Sequence, residues 1–123
     1  MDLRGVVRAT SVARLAIGAG MVLAPRVLGA AWIGEAAHTP GTSVMTRAFA
    51  AREAFLGGAT LALIDTPAAP AIVAANALCD GVDLAATLAA RDDLPRPAVL
   101  AVGGAAAGAF VGGLVYAVAL SRG

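Results

Sequence analysis

Ala98-Val-Leu-Ala-Val-Gly-Gly-Ala-Ala-Ala-Gly-Ala-Phe-Val-Gly-Gly-Leu-Val-Tyr-Ala-Val-Ala-Leu120 contains no Asp, Glu, Lys, Arg or His. A run of about 20 apolar residues, rising 1.5 Å per residue as an α-helix, crosses about 30 Å of hydrocarbon. A strand is the poorer reading: alanine is abundant, apolar and polar residues do not alternate, and the run is too long. This stretch therefore predicts a transmembrane helix, and the rest of the chain is read outward from it.

Three more segments of similar length precede it, from about Gly5 to Pro25, Ser43 to Ile64 and Ala71 to Ala90. The punctuation between them is strong. Pro25-Arg26 ends the first segment and Pro40-Gly41 opens the second. Asp65-Thr66-Pro67 with Pro70 separates the second from the third, and Arg91-Asp92-Asp93 with Pro95-Arg96-Pro97 separates the third from the fourth. The expectation is one all-α domain over residues 1–123, an integral membrane four-helix bundle with spans of about 5–25, 43–64, 71–90 and 98–120. Its partner is then the lipid bilayer, and its place the cell membrane as a multi-pass protein.

Composition agrees. Of 123 residues, 59% are hydrophobic and 14% charged, and the mean hydropathy is +0.83; a soluble domain carries about 25% charged residues. Every basic residue is Arg, without clustering, and the net charge is +1, so no nucleic-acid partner is implied. Cys79 is the single cysteine and reads as a small hydrophobe in an apolar run. A cleavable signal peptide fits poorly, because Arg14 interrupts its would-be apolar core and Pro25-Arg26 precedes the small residues at 29–31. Between Arg26 and Thr42 the chain needs a longer connection, expected to include a short interfacial helix with the Trp32 indole at headgroup level.

The informative residues are the charges inside the apolar segments. On the third segment Asn76, Asp80, Asp83 and Thr87 fall within about 60° of helical arc, and Arg91 extends the stripe at the end. The second segment carries Arg47, Arg52 and Glu53, and the first carries Arg14. Arg52 and Asp83 each lie about 15 residues from the turn near Pro67, so an antiparallel hairpin brings them to one depth, about 23 Å from the turn. Two aspartates at a helix centre cost about 5–7 kcal/mol on insertion, against about 2–4 kcal/mol returned by the six strong hydrophobes of that segment. The charges are therefore expected to face inward as a buried network of Arg14, Arg52, Glu53, Asn76, Asp80 and Asp83, with Arg52 paired to Asp83. The competing arrangement pairs Arg52 with Asp80 and Asp83 with Arg14. Three carboxylates face two guanidinium groups, which leaves one carboxylate expected to hold a proton.

Gly104, Gly108 and Gly112 make a small-residue stripe at spacing four on the fourth segment, expected to pack closely on another helix, within the chain or in a homo-oligomer or other membrane-protein partner. Familiar enzyme chemistry finds no residues: there is no phosphate loop, no nucleophile–base pair, and the only His, His38, lies in a loop, so no catalytic residue, metal or cofactor is expected.

The stretch Arg47-Ala-Phe-Ala-Ala-Arg52-Glu53-Ala-Phe-Leu-Gly57 resembles a pattern of Arg, a short gap, Arg followed by an acid, then Leu-Gly. That pattern belongs to a bacterial domain-of-unknown-function family of small four-span membrane proteins, domain of unknown function 4267. Asp80-Gly-Val-Asp83 is similar to that family's paired acids on the third helix, and Arg14 with Gly18 and Ala24-Pro25 also fits. Position 51 is Ala where the pattern has Gly as often. The resemblance covers most of the chain and implies the four-span architecture and the polar positions, with no established activity.

Two functions follow as expectations. One is a structural or accessory membrane module with a closed salt-bridge network. The other is a small proton-linked transporter or carrier using the intramembrane carboxylates, which requires a cavity reaching them.

Overall fold

The computed structural model describes residues 2–123, most of them helical, with no strand among the described residues. Helix α1 spans Leu3–Leu23, α2 Pro25–Ile33, α3 Pro40–Leu63, α4 Ala69–Ala89 and α5 Arg96–Ser121, with a 3-10 helix at Gly34–His38 between α2 and α3.

Local chemistry sets these ends. Asp2 caps α1 by accepting from the Gly5 N–H at 2.7 Å, and Thr39 caps α3 by accepting from the Thr42 N–H at 3.3 Å. Proline stands in the first turn of α2, α3, α4 and α5, where its missing N–H removes a donor that has no helical partner anyway. Pro25 also forces Ala24 out of helical geometry, which separates α1 from α2.

Helices α1, α4 and α5 are long and apolar enough to cross a membrane. α3 has the length, at 24 residues, but is not among them, because it carries three charges, Arg47, Arg52 and Glu53. The expected long connection is mostly helical, formed by α2 and the 3-10 helix.

The helices associate chiefly as two antiparallel pairs, α1 on α3 and α4 on α5, with α4 also touching α3. Two glycines explain the first pair. A Cβ on Gly18 would stand 2.5 Å from the Ala54 nitrogen, and one on Gly57 would stand 2.7 Å from the Ser11 carbonyl oxygen. The α1 and α3 backbones therefore touch, and no larger residue fits at either point. A small apolar cluster of Val7, Ile64, Ala69, Val73 and Ala117 joins all four long helices at the end holding the termini and the α3–α4 turn. At the same end Arg8 pairs with Asp65, and Arg4 donates to the Ile64 carbonyl.

The distribution of side chains departs from that of a soluble bundle in how many polar groups are buried and how many large apolar ones are exposed. Buried positions hold Ser11, Thr46, Glu53, Thr60, Asp80 and Thr87, whereas Leu23, Phe55, Leu78, Leu100 and Val115 face outward. Large apolar surface on every side is what a hydrocarbon surrounding accommodates and water does not.

Candidate functional site: a charge network beside a cavity

Arg14 stands near the middle of α1 and acts as the hub. Its Nη1 donates to both Glu53 oxygens, at 2.9 and 2.7 Å, and its Nη2 to both Asp80 oxygens, at 2.7 and 2.6 Å. One guanidinium thus ties α1 to α3 and α4 at once, using the paired donors that Arg alone offers. All three side chains are largely buried, at 15% exposure for Arg14 and 10% for each acid.

Arg52 extends the network. Its Nη2 donates to Asp83 Oδ2 at 2.6 Å and to Glu53 Oε1 at 3.2 Å, and its guanidinium lies 4.8 Å from the Phe49 ring centre. The expected Arg52–Asp83 pair is thus present, and the arrangement pairing Arg52 with Asp80 and Asp83 with Arg14 is not. Glu53 and Asp80 have both oxygens engaged. Asp83 accepts through Oδ2 only, and its Oδ1 accepts no hydrogen bond among the described residues. With all five groups ionised the network carries one net negative charge.

Asn76 lies one turn from Asp80 but forms a separate pair. Its amide donates to Thr60 Oγ1 at 2.7 Å and to the Ile72 carbonyl at 2.8 Å, leaving its own carbonyl oxygen buried without a partner.

Two expectations need correction. Arg91 does not extend the stripe: α4 ends at Ala89, and Arg91 lies exposed in the turn, 3.8 Å from Asp92. Within the chain, Gly104, Gly108 and Gly112 do not make the close approach, since a Cβ on any of them meets nothing within 4 Å. The tight contact in the α4–α5 pair is one residue over, at Gly113, whose Cβ would lie 2.8 Å from that of Ala77. Gly81 packs under Phe110 in the same way. Trp32 turns inward: its Nε1 donates to Thr87 Oγ1 at 3.3 Å, and its ring meets Phe49 edge-on at 4.9 Å.

Thr60, Phe49 and Trp32 were not read as site residues from the sequence. Phe49 had a signal, standing three residues before Arg52 on the same helical face. Thr60, seven residues after Glu53, lay on the polar face of its segment. Trp32 had none, because nothing in the sequence sets the direction of α2.

A cavity of about 730 Å³ separates the α1–α3 pair from the α4–α5 pair. Its wall is mostly apolar, but Arg14, Glu53, Asp80 and Asp83 face it near mid-length, with Trp32 and Phe49 beside them. Exposed residues on both rims, Ala13 and Ile17 of α1 and Ala105 and Gly108 of α5, mark where it opens sideways. Among the described residues, no three His, Cys, Asp or Glu side chains converge where a metal ion could be held. No family model, curated protein or solved structure matches the chain.

Proposed function

We propose that this chain is a multi-pass protein of the cell membrane, a four-helix bundle of α1, α3, α4 and α5, acting as a small proton-linked carrier for a lipophilic cation. The outward apolar surface supports the membrane setting. α3, too charged to insert alone, is accommodated because its charges face the guanidinium and carboxylate groups of its neighbours. The likeness of Arg47–Gly57 and Asp80–Asp83 to the four-span domain-of-unknown-function family supports the same architecture.

One observation carries the functional reading: the cavity reaches the buried carboxylates. An accessory module needs only a closed, dry network, whereas a carrier needs access. Asp83 is the group suited to exchange, because one of its oxygens is unengaged at the cavity wall. A net negative network, an apolar wall and the ring of Trp32 together fit a monocation with a hydrophobic body. Protonation of Asp83 at Oδ1 cancels the surplus charge, so proton and cation compete for one carboxylate, and each displaces the other.

The test is equilibrium binding of tetraphenylphosphonium to the full chain in lipid nanodiscs. Saturable binding that weakens as the proton concentration is raised and is lost in Asp83→Asn is expected. Unsaturable binding, or Asp83→Asn binding like the parent, overturns the carrier reading and returns the network to a structural role.

A further inference from the structure

A second cavity, of about 320 Å³, lies at the opposite end of the molecule from the termini, where α1 ends, α2 begins and α3 makes its first turns. Arg26, Arg47 and Ser43 line it, with Leu23, Ala24, Pro25 and Val27. Three observations converge on it. First, neither arginine has a carboxylate within ion-pair distance among the described residues. Arg47 donates only its Nε, to the Val22 carbonyl at 3.1 Å, which fixes the guanidinium and leaves its two terminal nitrogens for a ligand. Second, Ser43 is 6% exposed and its hydroxyl has no hydrogen-bond partner among the described residues. A buried hydroxyl without a partner carries a desolvation penalty that a ligand oxygen would relieve. Third, Ser43 belongs to the first turns of a 24-residue helix, where the backbone dipole favours negative charge.

We propose that this cavity binds a phosphate group. Two guanidinium groups and one hydroxyl, near the positive end of the α3 dipole, form a donor set with no acid among the side chains lining the cavity. The surroundings favour a lipid headgroup as the source. Leu23 and Val27 at the rim are 83% and 72% exposed and offer apolar surface beside the charged pocket. A phospholipid would set its phosphate between the arginines and its chains along that surface. This site is separate from the central network, and its test does not depend on the carrier reading.

The experiment measures thermal stability of the full chain in a neutral detergent during titration with short-chain phosphatidic acid, with inorganic phosphate, and with the zwitterionic phosphatidylcholine of equal chain length. A saturable rise in melting temperature is expected with phosphatidic acid, much smaller with phosphatidylcholine, and reduced by added salt. Apparent affinity is expected to fall about tenfold for each of Arg26→Gln and Arg47→Gln, the loss of one charge-assisted contact. Ser43→Ala, which keeps the fold's apolar contacts, tests the site should an arginine variant fail to purify; it too is expected to weaken binding. A response to inorganic phosphate alone keeps the phosphate site and removes the lipid as its source. No saturable response to either phosphate source, or a response unchanged in Arg26→Gln, Arg47→Gln and Ser43→Ala, overturns the proposal. Arg122→Gln, at the other end of the molecule, is expected to respond like the parent.

Discussion

Arg52 of α3 and Asp83 of α4 meet at 2.6 Å although each lies about 15 residues from the turn that joins their helices. Equal offset from a tight turn is the one register in which two antiparallel helices set side chains at the same height. The partnership therefore reports helix register as well as charge pairing. A double-mutant cycle over Arg52→Leu and Asp83→Leu is expected to give a coupling of about 0.5–3 kcal/mol, with the double variant better tolerated than either single change. The parallel cycle with Asp80 is expected to give almost none, because Asp80 is held by Arg14. Coupling of Arg52 to Asp80 in place of Asp83 means a register displaced by about one turn.

Arg14 is expected to be the more costly arginine to lose. It neutralises Glu53 and Asp80 together at 15% exposure, while Arg52 is 32% exposed. Arg14→Ala leaves two buried carboxylates without their principal cation, and breaking such a pair costs about 3–5 kcal/mol. Arg14→Lys is expected to recover little, since one ammonium does not reproduce paired donation to two separate acids. Thermal unfolding in detergent, followed through the single tryptophan, ranks the variants. A melting temperature for Arg14→Ala above that of Arg52→Ala contradicts the hub assignment.

The helices were legible in the sequence because length, apolarity and proline punctuation act locally. Each long helix begins and ends within a few residues of its apolar segment. The Arg52–Asp83 pair was legible for the same reason: a short turn converts sequence offset into height. Arg14's choice of Glu53 and Asp80 was not, since α2 and the 3-10 helix intervene and no periodicity gives their path. Nor was the pairing of α1 with α3, which depends on Gly18 and Gly57 meeting backbone on the opposite helix. The glycines of α5 mislead in an instructive way. The regular stripe 104–108–112 attracts the eye, but contact is decided by which face turns toward α4, and that face holds Gly113.

Both termini are expected on the same side of the membrane. The start of α1, the α3–α4 turn and the end of α5 share one end of the molecule, held there by the Val7–Ile64–Ala117 cluster and the Arg8–Asp65 pair. The arginines do not name that side: outside the central network Arg4, Arg8 and Arg122 lie toward one end and Arg26, Arg47, Arg91 and Arg96 toward the other, a nearly even split. Reporter fusions at the two termini measure it directly, and opposite locations rule out four spans.

The α5 glycines separate three effects that a single substitution would confuse. Gly113→Leu places atoms where Ala77 already stands and is expected to destabilise the α4–α5 pair by about 1–3 kcal/mol, the usual range for overpacking. Gly108→Leu meets nothing within 4 Å and is expected to leave the melting temperature nearly unchanged. Because Gly108 lines the central cavity, the added side chain is expected instead to narrow it and weaken tetraphenylphosphonium binding. Gly104 has the same open surroundings but does not line the cavity. If a second helix from another copy or partner packs on this stripe, Gly104→Leu shifts the oligomer distribution in detergent while leaving both stability and probe binding intact. Measured together, melting temperature, probe affinity and oligomer distribution assign each glycine its role. A destabilised Gly108→Leu contradicts the open cavity. An oligomer distribution unchanged by Gly104→Leu removes the stripe as an assembly surface.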